Sequence, residues 1–97
     1  MTLIRMTDIN LDANVLINPD RIVRVVPRHG PRGQATSALI LGLTLTTGDE
    51  IDCFPLDPHG GFDASVDDEA TAITHFQQAV QYIRSHPELP QGAPPAR

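Results

Sequence analysis

A chain of 97 residues allows one small domain, which buries only roughly 60 to 65 % of its unfolded-chain surface and gains from association. Twelve acidic side chains against seven basic ones, all arginine, set a net charge of −5, which weighs against a phosphate-tracking surface, so no nucleic-acid partner is expected. No apolar run reaches the roughly 18 residues of a bilayer span, and MTLIRMTDIN lacks the positive start and long apolar centre of a secretory signal, so a cytoplasmic location is expected.

The charge is unevenly spread. Residues 1–37 hold five Arg and three Asp, a net +2, whereas residues 38–97 hold two Arg and nine acids, a net −7, so the halves attract each other within or between chains.

In chain order, Leu3 to Thr7 reads as a first strand, with Leu3, Arg5 and Thr7 facing opposite to Ile4 and Met6. Asp8 to Asn14 is rich in Asp and Asn, residues that bond their own backbone, so Val15-Leu16-Ile17 is expected to return antiparallel after a turn. Asn18-Pro19-Asp20 turns the chain again, and Arg21 to Val26 resumes as a third, β-branched strand. Arg21 and Arg24 differ in parity, which calls for a bulge or for one arginine lying along apolar surface with its head in water.

Pro27 to Gly33, PRHGPRG, cannot continue a central strand and is expected to be an exposed loop. Arg28, His29 and Arg32 there could form a basic finger for an acidic partner; the competing reading is a solvated hairpin connection. No aromatic is interleaved to stack a base.

Ala38 to Phe54, ALILGLTLTTGDEIDCF, reads as a β-hairpin. Leu39, Leu41, Leu43 and Leu45 share one face, and Ile40, Gly42, Thr44 and Thr46 the other. Ile51 and Cys53 rejoin the leucine face only if the loop is odd in length, most simply Thr47-Gly48-Asp49, with Leu45 opposite Ile51 and Leu43 opposite Cys53. Cys53 is then a buried, neutral thiol rather than a nucleophile, and as the lone cysteine it forms no intrachain disulfide.

Pro55 to Ala64 brings Asp57, His59 and Asp63 together at spacings a loop could fold around a divalent ion. The regular Asp-x-Asp-x-Asp-Gly spacing and its terminal glutamate are missing, so the favoured reading is a turn with hydrogen-bonding Asp side chains and no metal or cofactor. His29, His75 and His86 lack ligand spacing, and no Ser-His-Asp or Cys-His arrangement is apparent. An enzyme would have to use Asp57, His59 and Asp63, approached by Arg28 or Arg32.

Ser65 is expected to cap a helix whose apolar stripe runs through Val66, Ala70, Ile73, Phe76 or Gln77, Val80 and Ile83, with Asp68, Thr71, His75, Gln78 and Gln81 wet. Ser85-His86-Pro87 ends it. Residues 1–86 thus form a single domain, and residues 87–97 a disordered Pro-rich tail.

The succession of a short N-terminal strand, VLINPDRIVRVV, LTLTTGDEIDC and SVDDEATAITHF resembles the small FlbD-like proteins associated with bacterial flagella, over roughly residues 4 to 83. The resemblance implies a non-enzymatic accessory factor. The expected architecture is α+β: an antiparallel meander of four or five strands with one C-terminal helix packed on a face. The expected partner is a protein, most simply a second copy in a homodimer. Its contacts would lie at the first strand's edge or on the face bearing Ile40 and Thr44, with Arg28, His29 and Arg32 meeting acids of the partner.

Overall fold

Alternation of period two builds two antiparallel hairpins, and a single junction joins them into one sheet. The computed structural model describes residues 2–29 and 39–92. Strands β1 (Ile4–Asp8) and β2 (Ala13–Ile17) form the first hairpin; β3 (Ile22–His29), β4 (Leu39–Leu45) and β5 (Glu50–Cys53) form a meander; helix α1 (Glu69–Ser85) follows. The sheet order is β2-β1-β5-β4-β3, antiparallel throughout. This is the expected α+β architecture with five strands. Its edges are β2 and β3, so the first strand is internal and is not the exposed edge expected of it.

The leucine face is the core face. Leu39, Leu41 and Leu43 are buried with Ile4, Met6 and Cys53, and each such side chain removed from water contributes about 1.5 to 3 kcal/mol. The hairpin register differs from expectation: Leu43 lies opposite Ile51 and Leu41 opposite Cys53. Gly48 is the reason. Its φ of 92° suits the last position of a three-residue loop. Thr46-Thr47-Gly48 is that loop, closed by Gly48 N–H to Leu45 C=O (2.9 Å) and Leu45 N–H to Asp49 C=O (2.9 Å). The loop stays odd, so the faces are preserved while the pairing slides.

β3 runs on through Pro27, Arg28 and His29, which were expected to lie in a loop. Thr46 N–H donates to Arg21 C=O (2.8 Å), and alternation from there, displaced by one residue at the register shift between Ile22 and Arg24, turns Arg24, Val26 and Arg28 toward β4, and Val25, Pro27 and His29 toward the free edge. The amide that proline lacks would therefore point away from the ladder, the one orientation in which a strand tolerates it. The parity conflict between Arg21 and Arg24 is absorbed by a register shift between Ile22 and Arg24, the bulge solution.

The helix begins later than expected. Ser65 is occupied elsewhere, donating its amide and hydroxyl to Asp63, and Asp68 caps α1 by accepting from Thr71 N–H (2.8 Å) and Oγ1 (2.9 Å). Its buried residues are Ala72, Phe76, Ala79 and Tyr82. The buried stripe is thus rotated from the expected one, and His75, expected to be wet, is half-buried. Termination at His86 before Pro87 is as expected. Among the described residues no helix is long and apolar enough to cross a membrane.

Residues 87–92 also differ from expectation; the remainder of the expected tail lies outside the described residues. Arg5 should pair on its β5 side, as Thr7 does with Phe54 (3.1 Å) and Ile9 with Asp52 (2.8 Å), but β5 has ended. The carboxamide of Gln91 takes the missing place: Arg5 N–H donates to its Oε1 (2.6 Å), and its Nε2 donates to Arg5 C=O (2.6 Å) and Gly60 C=O (2.7 Å). Gly92 N–H bonds His59 C=O (2.7 Å). The domain therefore extends at least to Gly92, and the expected tail from residue 87 is in part a docked strap. Gln91→Ala should cost about 0.5 to 1.5 kcal/mol by removing these hydrogen bonds, whose main-chain groups are largely exposed. Gly60, with φ 87° and room for a Cβ only 2.7 Å from Gln91 Cγ, should lose about 1 to 3 kcal/mol on substitution by Ala. Urea midpoints check both; a Gln91→Ala protein as stable as wild type would show that the strap contributes nothing.

Candidate functional site

The Pro55 to Ala64 loop folds around its own first aspartate. Asp57 Oδ1 accepts from the amides of His59 (2.8 Å) and Gly61 (2.9 Å), while Asp57 N–H bonds Gly61 C=O (2.8 Å). A Cβ on Gly61 would stand 2.7 Å from Asp57 Oδ2, so only glycine lets the carboxylate close this turn. The His59 ring stands nearly perpendicular to that of Tyr82 (centroids 5.0 Å apart), and Tyr82 stacks on His86 (4.6 Å). Asp63 is engaged by Ser65, whose hydroxyl and then amide hold its carboxyl below the usual range. The three side chains thus serve three separate local structures. Among the described residues no group of three or more His, Cys, Asp or Glu is placed to hold a metal ion.

The residues expected to meet a partner have intramolecular roles. Arg28 lies on β3 and forks onto Asp52 of β5, with both Nη–Oδ distances 3.1 Å. Between them sits Gly42, where a Cβ would come within 3.2 Å of Arg28 Nη1. The absent side chain is what lets an arginine reach across the intervening strand. His29 Nε2 contacts Asp67 C=O (2.9 Å), and its Nδ1 lies 3.5 Å from Glu69, which ties the end of β3 to the start of α1. Arg32 lies outside the described residues. Ile40 is only 6 % exposed and Thr44 is half-buried, so the face they mark is not an open apolar surface.

Asp52 is held below the usual carboxylate range chiefly by its hydrogen bond from Arg28, and Asp63 and Asp68 are lowered by their own bonds to Ser65 and Thr71. A lowered folded value means stabilisation that is present above the ordinary value of 3.8 and lost as pH falls through the folded value. Urea stability should therefore be flat from neutral pH to about pH 4 and fall below it. Asp52→Asn should cost no more than about 1 kcal/mol at neutral pH, because the pair is partly exposed, and should make the acid fall shallower. An unchanged acid limb would contradict this.

Cys53 is fully buried, and burial first, then the Asp8 and Asp52 carboxylates, push its thiol up to about 12. It should resist thiol reagents near neutral pH in the native protein and react only on unfolding; rapid native labelling would contradict its burial.

Among the described residues two open surfaces stand out, and sequence reading missed both. β2 is an edge strand of Ala13, Asn14, Val15, Leu16 and Ile17 with no charge and no proline; Leu16 is 65 % exposed. Between the edge of β3 and α1 runs a groove of about 740 Å³, lined by Ile22, Val23 and Val25 on one side and Ile73, Phe76 and Val80 on the other. The helical spacing of Ile73 and Val80 was the available signal. Both belong to the expected stripe, yet neither is among the residues α1 buries. No family model, curated protein or solved structure matches the chain.

Proposed function

We propose that this chain is a small non-enzymatic accessory domain of the cytoplasm that acts through protein contacts, and that it forms a homodimer through the edge of β2. The unguarded β2 edge carries the reading. Asp8, Met6 and Ile4 pair with Ala13, Val15 and Ile17, because Thr7 and Ile9 are turned toward β5. Asn14 and Leu16 accordingly direct their main-chain amides and carbonyls outward. Sheet edges are ordinarily blunted by charge, proline or a bulge; β3 is interrupted by its register shift on one side and by Pro27 on the other, leaving only the short stretch at Val25 open, whereas β2 has no such device along its length. Two copies meeting at β2 would continue the sheet and cover Leu16.

An enzyme at the Asp57, His59 and Asp63 loop would need these groups to converge, and each is committed to a separate local structure. The flagellar setting is implied by the resemblance over residues 4 to 83 and forms the outermost part of the proposal.

Light scattering tests it. Wild type should approach twice the monomer mass with rising micromolar concentration and be little affected by salt, since a backbone ladder and apolar contact hold it. Leu16→Lys should stay at the monomer mass with an unchanged circular dichroism spectrum, because that side chain is exposed. A wild type that remains monomeric throughout would contradict the proposal.

A further inference from the structure

We infer that the groove between β3 and α1 binds an extended peptide carrying alternate acidic and apolar side chains, which adds as a strand to the free edge of β3. This deepens the reading of the chain as a protein-interaction domain but does not depend on the β2 dimer. The groove joins an edge and a helix flank. Val25 turns its amide and carbonyl outward from β3 and Pro27 its carbonyl, offering a short stretch of ladder between the bulge at Val23 and the proline. Strand addition of this kind takes affinity from main-chain bonds and specificity from the pockets that receive alternate side chains. Here the pockets are apolar: Ile73 and Val80 leave the helix toward the groove, and Val23 is 61 % exposed at its mouth.

Charge selects the occupant. Arg24 and Arg84 line the groove with Gln77 and Gln81, and among the described residues no carboxylate lines it, although the chain as a whole carries −5. Arg84 is paired with Asp20, and no ion pair is found for Arg24 among the described residues. An acidic strand therefore meets attraction here, whereas most of the surface repels it. The short span of free ladder fits a peptide segment better than a second β3, since in an antiparallel pair Pro27 of each copy would face the bulge of the other.

Fluorescence anisotropy with a labelled peptide of alternating Glu and Val, and its Lys-Val counterpart, tests the inference at low salt. The Glu-Val peptide should bind at least about tenfold more tightly than the Lys-Val peptide, with amide shifts at Val25, Ile73 and Val80. Arg24→Glu combined with Gln77→Glu, both exposed positions, should reverse the preference. Val25→Pro should abolish binding by removing the outward amide. No binding of Glu-Val to wild type, or binding indifferent to the charge reversal, would overturn the inference. If Glu-Val fails to bind while Leu16→Lys still dissociates a dimer, the groove is rejected and the dimer stands. A dimer that survives Leu16→Lys but is lost in Val25→Pro would place a second copy on this edge and reject both.

Discussion

The pairing of β1 with β5 is the constraint on which the rest of the molecule depends. It is short: Asp8 sits opposite Cys53, with main-chain bonds from Phe54 to Thr7 and from Ile9 to Asp52 on either side. Yet among the described strands it is the pairing that joins the N-terminal hairpin to the meander, and in doing so it decides which strands lie at the edges. Had β1 remained outside, its free groups would have been the exposed ones. Because it is inside, β2 and β3 carry the open backbone, and both proposed contacts follow from that placement.

The shortness of β5 has a second consequence. β5 ends before it can serve Arg5, which leaves a main-chain amide and carbonyl of β1 without a strand partner on that side. Gln91 takes that place from outside the sheet by presenting one carboxamide that donates and accepts as a strand residue would. The same side chain reaches Gly60, so the Asp57 turn, the end of the chain's described course and the middle of the sheet are tied at one point. The Asp57 carboxylate and the glycines of this loop therefore have architectural roles.

What the sequence revealed, and what it concealed, divides along physical lines. The faces of β1 and β4 were legible, because a period of two at Ile4 and Met6 and at Leu39, Leu41 and Leu43 leaves no other face to bury. The exact register was not, because Thr47-Gly48-Asp49 and Thr46-Thr47-Gly48 are both odd, and only the positive φ of Gly48 distinguishes them. Ser65 and Asp68 are both good caps; Asp63 removed the first from competition. Pro27 looked like a strand terminator and is harmless because of the direction its missing amide would face, which no local pattern encodes. The Gln91 contact with Arg5 spans most of the chain and could not be read from spacing at all. Of the candidate sites, Asp57, His59 and Asp63 were adjacent in sequence but not in purpose, whereas the two open surfaces emerged only once the strand order was known.

Amide hydrogen exchange resolved by residue tests the strand order most directly. The amides of Arg5, Ile9 and Phe54 should be protected together with the meander, since they form the junction, while those of Asn14, Leu16 and Val25 should exchange rapidly in dilute protein. Asn14 and Leu16 should then gain protection as concentration rises, and Val25 should not. Rapid exchange at Ile9 and Phe54, with protection at Val25 already present in dilute monomer, would mean that the two hairpins are not joined in this order and would contradict the account.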